Sequence, residues 1–142
     1  MAINNGIDEL IFNDIEKSIR ETPFYNLLSI ELAELGSGEA VFKVTPTEKH
    51  TNPMGIVHGG LLMSIADAAM GNAIRSLGNL GVTIDMSTSF ISLAPINQEI
   101  IAKGQVLRSG KNLHFVEAKV FAEDKLLLHC KGTFFNVAGM VK

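Results

Sequence analysis

The fold of this chain is decided by residues 59–78, which read GGLLMSIADAAMGNAIRSLG. Apolar side chains recur in this stretch at helical spacing, and they are Leu62, Ile65, Ala66, Ala69, Ala73 and Leu77. The period predicts a helix from about residue 60 to 77 that buries one stripe and ends near Gly78. Because the stripe is rich in alanine, and because Ala68 and Gly71 are also small, a sheet can approach this helix closely.

Segments with strand periodicity lie on both sides of this helix. Before it, Leu28, Ile30 and Leu32 alternate, a Gly36-Ser37-Gly38 turn follows, and Ala40, Phe42 and Val44 alternate again, which predicts a hairpin. After it come four extended segments, at about 81–93, 98–108, 113–122 and 126–136. One helix between a hairpin and four strands predicts an α+β fold, with an antiparallel sheet of about six strands wrapped around the central helix.

An extra helix precedes the sheet. Ile7, Leu10, Ile11, Ile15 and Ile19 recur at helical spacing, which predicts an amphipathic helix between residues 7 and 20. A chain of 142 residues fits a single domain. We therefore expect one domain over residues 1–142, with an N-terminal helical segment at 1–24 and a core at 25–136.

Composition excludes several classes of protein. Apolar residues make up 46% of the chain and charged residues 19%, which argues against disorder and suggests interfaces between copies. A net charge of −3 argues against binding nucleic acid through its phosphates. No apolar run reaches the roughly 20 residues that span a bilayer, and the lone Cys130 fits a reducing compartment. We expect a soluble, cytoplasmic protein without membrane contact.

Polar residues cluster at the start of the central helix. Asn52, His58, Gly59 and Gly60 belong to the loop that leads into it, and Asp67 lies eight residues beyond Gly59. A helix N-terminus presents unpaired N–H groups and a positive dipole end, so it can hold an oxyanion. Asp67 lies about 12 Å further along the axis, at a rise of 1.5 Å per residue. If both act on one reacting carbon, we therefore expect a second subunit to be involved.

A second polar stretch follows at residues 81–86, GVTIDM. In a regular strand, side chains alternate between the two faces. Val82 and Ile84 would therefore point to one face, and Thr83 would point to the other face together with Asp85, Ser87 and Ser89. A row of polar residues like this one is typical of a face exposed to solvent.

Together, Asn52, Gly55, His58-Gly59-Gly60, Asp67 and the stretch 81–86 resemble the signatures of PaaI-like acyl-CoA thioesterases. That family is a branch of the hotdog-fold superfamily, which includes 4-hydroxybenzoyl-CoA thioesterase, and the resemblance covers residues 25 to 136. It implies a curved sheet around a central helix and subunits that pair edge to edge. It also implies an enzyme that hydrolyses acyl-CoA to a carboxylic acid and coenzyme A, without a metal or redox cofactor.

The resemblance assigns a role to each motif residue. The Gly59 N–H would polarise the thioester carbonyl, and Asp67 of the facing subunit would act as nucleophile or general base. His58 and Asn52 would position or polarise the thioester, and the Thr83 hydroxyl would orient the attacking water. From residue type alone, His58 is equally a buried structural imidazole, Asn52 a turn former and Asp67 a solvent-facing carboxylate.

The remaining candidates concern the coenzyme and metals. Gly60, at the helix start, is one candidate for substrate binding. A second candidate is the turn formed by Arg108, Ser109, Gly110, Lys111 and Asn112, because two cations beside a glycine can hold the phosphates of coenzyme A. The same turn is also an ordinary polar hairpin connection. His50, His114 and His129 have no spacing typical of metal ligands, so no metal is predicted.

Two other functions remain open at this point. One is a hotdog dehydratase or hydratase acting on an acyl thioester, and the other is a non-catalytic acyl-CoA sensor, which would normally carry an effector domain. A shared site requires at least a homodimer, and the family favours a homotetramer. Aromatic and fatty acyl groups are both compatible with the sequence.

Overall fold

A computed structural model describes residues 1–137 as an α+β fold. The helices are α1 (Glu9–Arg20), α2 (Pro23–Leu28) and α3 (Gly59–Arg75), with a 3-10 turn at Glu48–His50. The strands are β1 (Ile3–Asn4), β2 (Glu31–Gly36), β3 (Glu39–Val44), β4 (Gly81–Phe90), β5 (Ile100–Ser109), β6 (Leu113–Ala122) and β7 (Lys125–Asn136). These elements confirm the predicted central helix, the hairpin and the four later strands.

All the strands belong to one sheet, in the order β1-β2-β3-β5-β6-β7-β4. Every neighbouring pair is antiparallel except β1 and β2. Helix α3 lies across this sheet and contacts β3, β5, β6, β4 and β7. The strand that follows α3 in sequence, β4, forms one edge of the sheet, so one side of its backbone has no neighbour among the described residues.

The closest approach of helix and sheet is at Gly104 of β5. A Cβ atom added there would lie 2.5 Å from the carbonyl carbon and oxygen of Ala69. Ala66, Ala69 and Ala73 on α3 are fully buried against the sheet. Glycine in the strand and alanine on the helix therefore set the depth at which α3 sits.

Gly104→Ala should lower the free energy of unfolding by about 1–3 kcal/mol or more, because the added methyl group meets rigid backbone rather than a movable side chain. Denaturant unfolding measures this change. Gly71→Ala is the matched control, since a Cβ there meets only Phe134, at 3.8 Å. It removes a mid-helix glycine and should be neutral or stabilising by up to about 1 kcal/mol. Equal stability of the two variants would contradict the close approach.

The N-terminal region differs from the sequence prediction. The first helix is confirmed as Glu9–Arg20, capped by Asp8. The prediction that Leu28 begins the hairpin is wrong, because Pro23–Leu28 forms α2 and β2 begins only at Glu31. Pro23 occupies the first turn, where its missing N–H costs nothing, and Ser29 ends the helix with a φ of 61°. The short β1, which pairs with β2, was not predicted and brings the sheet to seven strands.

Two ends of elements also differ. Leu77 was predicted to be buried, but α3 ends at Arg75 and Leu77 is 40% exposed. Strand β4 stops at Phe90 rather than continuing to residue 93. Cys130 is fully buried among apolar residues, as expected of a small core side chain. Within residues 1–137, no helix is long and apolar enough to cross a membrane.

Candidate active site

The loop before α3 is organised by Asn52. Its side-chain oxygen accepts hydrogen bonds from the backbone N–H of Met54 at 3.0 Å and of Ile56 at 3.3 Å. Its backbone oxygen accepts from the N–H of Gly55 at 2.9 Å. These bonds support the turn-forming interpretation of Asn52. The side-chain NH₂ group makes no hydrogen bond to residues 1–137, so this donor remains available to a ligand.

His58 is the N-cap of α3. Its Nδ1 accepts the backbone N–H of Gly60 at 2.7 Å, and its carbonyl accepts that of Leu61 at 3.0 Å. The imidazole is exposed, so the alternative of a buried structural histidine is wrong. Because Nδ1 accepts, the proton of the neutral ring sits on Nε2, which is thus a donor.

Gly60 is needed for this cap. A Cβ at that position would lie 2.9 Å from Nδ1 of His58 and displace the ring. Because the Gly60 N–H already binds His58, it is not free to bind a substrate. That a substrate contacts Gly60 stays a prediction, and such a contact would involve atoms of this glycine other than its N–H.

The cap leaves the N–H of Gly59 free. Gly59 is the first residue of α3, and its N–H has no hydrogen-bond partner among residues 1–137. The ring of Phe90, at the end of β4, lies beside it: a Cβ on Gly59 would be 2.9 Å from Cε1 of that ring. A free donor at the positive end of a helix is suited to hold an oxyanion.

Asp67 forms a hydrogen bond with Thr83 of the same chain. The Thr83 hydroxyl donates to Oδ1 of Asp67 at 2.6 Å, and Asp67 is half-buried. Asp67 is therefore not a fully solvent-facing carboxylate, whereas Thr83 is exposed in the single chain. The hydroxyl orients the carboxylate, and Oδ2 makes no side-chain hydrogen bond within residues 1–137.

The predicted face of Thr83 is wrong, and a β-bulge is the reason. Thr83 pairs with Phe134 on β7, whereas Asp85 pairs with the preceding residue of β7, Thr133, so the register shifts by one residue. Residues directly opposite in an antiparallel pair share a face, so Thr83 points to the side of the buried Phe134 and α3. Asp85 keeps the opposite face. Bulges commonly re-aim a side chain beside a functional site.

Asp67 and Thr83 line a groove of about 350 Å³ between α3 and the start of β4. Its other lining residues are Thr22, Tyr25, Gly71, Asn72, Arg75, Leu80, Gly81, Val82 and Phe134. The polar residues on this list were not predicted as site residues. Asn72 and Arg75 follow Asp67 on the same helix and interrupt its apolar pattern, which was the available signal. Tyr25 gave no such signal, because it reaches the groove from α2.

One chain keeps the two halves of the predicted site apart. Gly59 lies beside Phe90, at the end of β4, whereas Asp67 binds Thr83 near its beginning. Along α3, eight residues separate Gly59 from Asp67, which corresponds to about 12 Å. A single subunit therefore does not bring the free N–H and the carboxylate to one reacting carbon.

The turn at Arg108–Asn112 lies at the beginning of β4. Asn136, which pairs with Gly81, donates its backbone N–H to the Asn112 carbonyl at 2.7 Å. The Ser109 hydroxyl already contacts Nδ1 of His114 at 2.7 Å. The side chains of Arg108 and Lys111 are exposed and form no ion pair within residues 1–137. Arg108, Gly110 and Lys111 are predicted to contact coenzyme A phosphates. They lie at the opposite end of β4 from Gly59 of the same chain.

The other histidines have structural partners. His50 is buried and bonds to the Thr47 N–H and the Leu28 carbonyl. His129 contacts Glu117 at 2.6 Å, and this hydrogen bond lowers the pKa of the Glu117 carboxyl. In the described part of the chain, no three potential metal ligands lie together. The absence of a metal from the mechanism remains a prediction.

Comparison with known proteins places this geometry in a family. The chain is 32% identical to human acyl-coenzyme A thioesterase 13 over 88 residues, 61% of this chain and 63% of that protein. It is 28% identical to a putative esterase of Archaeoglobus fulgidus over 115 residues, 80% of this chain and 74% of that protein. The E. coli PaaI protein, from the phenylacetic acid degradation operon, has the same fold, with a TM-score of 0.85 at 20% identity over 92% of this chain and 96% of that one.

The comparisons confirm the hotdog fold, the resemblance to PaaI-like proteins and the predicted enzyme class. The model of the family described as "Thioesterase superfamily" matches residues 54–129, which include the His58 cap, Gly59, Asp67 and Thr83. Since that match spans more than half of its length, the chain belongs to the thioesterase superfamily.

Proposed function

We propose that the protein hydrolyses acyl-CoA thioesters to a carboxylic acid and coenzyme A, at sites shared between two subunits. The observation that carries the proposal is the distance along α3 between the two groups that the reaction needs. A free oxyanion donor, the Gly59 N–H, opens the helix, and a carboxylate held by Thr83 lies about 12 Å along it. Family membership and the similarity to acyl-coenzyme A thioesterase 13 support the choice of substrate.

The exposed edge of β4 supports a shared site. An edge strand of ten residues whose outer side has no neighbour within residues 1–137 is a template for pairing with another chain. Val82, Ile84 and Phe90 on this strand are each more than half exposed, which favours burial against a second copy. Antiparallel pairing about a twofold axis would set the Thr83 end of one β4 beside the Phe90 end of the other. Asp67 of one subunit would then face Gly59 of its partner.

In this arrangement each group has a defined task. Asp67 removes a proton from water while the water oxygen attacks the thioester carbonyl carbon, or attacks that carbon itself; both modes remain compatible with the geometry. The negative charge that develops on the carbonyl oxygen is held by the Gly59 N–H. The C–S bond then breaks, and coenzyme A leaves as a thiolate. When Asp67 acts as a base, the carboxylic acid is formed directly and the thiolate takes up the proton that Asp67 removed from water. When Asp67 attacks the carbon itself, the acyl group remains on it as a mixed anhydride, and a water molecule then hydrolyses this anhydride to the carboxylic acid, restores the Asp67 carboxylate and supplies the proton for the thiolate. His58 Nε2 and the Asn52 NH₂ group are further donors near the helix start.

A dehydratase or hydratase is disfavoured by the similarity to acyl-coenzyme A thioesterase 13. That chemistry needs a histidine and an acid arranged for proton transfer at the α and β carbons. The shared site would set His58 of one subunit near Asp67 of the other, whereas within its own chain the side-chain partner of Asp67 is a threonine. Thr83 suits a carboxylate that acts on water.

Release of free thiol from aromatic and fatty acyl-CoAs tests the proposal. Steady turnover with some of these substrates is expected. A dehydratase or hydratase would change the unsaturation of an enoyl-CoA without releasing thiol, and a sensor would bind acyl-CoA without turnover. Either of these results would overturn the proposal.

Three finer expectations belong to the same proposal. The β4 pairing carries the Arg108–Asn112 turn of one subunit toward the Gly59 end of its partner, which supports phosphate binding by Arg108 and Lys111. Assembly of dimers into a homotetramer and a cytoplasmic location stay predictions.

A further inference from the structure

The far end of the groove holds a half-buried arginine, Arg75, whose hydrogen-bond partners within residues 1–137 are neutral. The Arg75 guanidinium donates from Nη1 to Asn72 Oδ1 at 3.0 Å and from Nη2 to Ser18 Oγ at 2.8 Å, and both acceptors are neutral. Within residues 1–137 it forms no salt bridge. Burial lowers its pKa from the usual value, yet an arginine remains charged at neutral pH. The Asp14 carboxylate is near enough to oppose this lowering of the pKa, but it forms no salt bridge with Arg75. A cation removed in part from water without a carboxylate in direct contact is costly, which favours an anionic ligand.

Its neighbours hold this guanidinium in place. The side chain of Asn72 is 3% exposed and donates to the Ala68 carbonyl at 2.8 Å and to the Tyr25 hydroxyl at 3.3 Å. Arginine has five N–H donors, so several remain unused after the bonds to Asn72 and Ser18. Because the Tyr25 oxygen accepts from Asn72, its own proton is free to be donated. Burial raises the pKa of Tyr25, which keeps that proton in place at neutral pH.

The groove joins this end to the catalytic carboxylate. Arg75 follows Asp67 by eight residues, and its side chain reaches back to Asn72, about 7.5 Å along the axis from Asp67. Gly71 lies between them, and a Cβ there would meet only Phe134, at 3.8 Å. The absence of a side chain at residue 71 thus leaves a passage from the reacting carbon to the arginine.

We propose that Arg75 and Tyr25 bind a carboxylate at the far end of the acyl group, so that the preferred substrates are CoA thioesters of dicarboxylic acids. The inference rests on the proposed thioesterase activity and adds its substrate class. The Asp67 carboxylate repels a second carboxylate held close to it, so short diacids bind less well than those long enough to reach Arg75.

Matched pairs of substrates test the inference on the wild-type protein. Adipyl-CoA is compared with hexanoyl-CoA, and suberyl-CoA with octanoyl-CoA, by kcat/KM for thiol release. We expect the dicarboxylic member to be preferred by about tenfold to a hundredfold, as for a hydrogen bond between charged groups. Succinyl-CoA should gain no such advantage over butyryl-CoA. Equal rates or a preference for the monocarboxylic members would overturn the inference while leaving thioester hydrolysis intact, whereas no thiol release from any substrate would overturn the proposed function.

Variants of Arg75 and Tyr25 test whether these residues cause the preference for dicarboxylic substrates. Arg75→Met should lower the ratio of kcat/KM for adipyl-CoA over hexanoyl-CoA to one or below, and Tyr25→Phe, which removes only a hydroxyl, should lower it severalfold. Arg20→Met is the matched control, because Arg20 is an exposed cation paired with Glu16 on α1. It should leave the ratio unchanged. If Arg75→Met does not fold, Tyr25→Phe alone decides, and an unchanged ratio in that variant would contradict the assignment.

Discussion

Replacing Asp67 by asparagine should lower kcat for every acyl-CoA that the protein hydrolyses by about 10²- to 10⁴-fold, the usual contribution of a general base. Asparagine keeps the shape of the side chain and can still accept the hydrogen bond that Thr83 donates at 2.6 Å. It cannot take a proton from water or attack a carbonyl carbon. Thiol release measured at saturating substrate reports the loss directly.

Asp85→Asn is the matched control. Asp85 lies two residues beyond Thr83 in β4 and is exposed on the opposite face, beyond the bulge. The substitution makes the same change of charge, so it separates the site from the general electrostatics of the protein. We expect a kcat close to that of the wild type. A large loss in Asp85→Asn, or none in Asp67→Asn, would show that the acid is misassigned.

Gly59→Pro should lower kcat by about 10²- to 10³-fold, the effect of removing one oxyanion donor. Gly59 is the first residue of α3, a position where proline is favoured because its missing N–H has no helical partner. The preceding His58 has φ −66° and ψ 132°, a conformation compatible with a following proline. The substitution therefore removes the donor with little disturbance to the helix. The kinetic measurement is again thiol release.

Gly59→Ala separates the donor from steric effects. Its Cβ approaches the Phe90 ring as the proline ring would, at 2.9 Å before relaxation, but the N–H is kept. The contact is with the edge of a side-chain ring rather than with backbone, so we expect a much smaller loss than in Gly59→Pro. Similar losses in both variants would assign the effect to crowding by Phe90 and contradict the role of the N–H.

The sequence predicted most of the architecture because the core segments are strongly periodic. Strand β6 was predicted with its observed bounds, and the central helix within two residues at either end. The helix that replaces the start of the first strand was missed, because Leu28, Ile30 and Leu32 fit strand alternation while Pro23 favours a helix start. Here the local signal of the proline outweighed the apolar pattern.

Site geometry was predicted less well because it depends on contacts between distant segments. A one-residue bulge in β4 turned Thr83 toward Asp67, and strict alternation cannot reveal such a shift. The neutral hydrogen-bond partners of Arg75 within residues 1–137 became visible only once α1, α2 and α3 were placed together. The cap by His58 was not predicted either, because it depends on the imidazole ring turning back to the Gly60 N–H.

The central claim is that Gly59 and Asp67 act together across two subunits, and a mixed dimer tests it most directly. Chains carrying Gly59→Pro and chains carrying Asp67→Asn are given different tags, co-expressed and purified through both tags. In the mixed dimer one shared site has both an intact Gly59 N–H and an intact Asp67, and the other has neither. Thiol release per dimer should therefore recover to about half of the wild-type rate. A rate no higher than that of the two parent homodimers would contradict the account, because it is what a site contained within one chain gives.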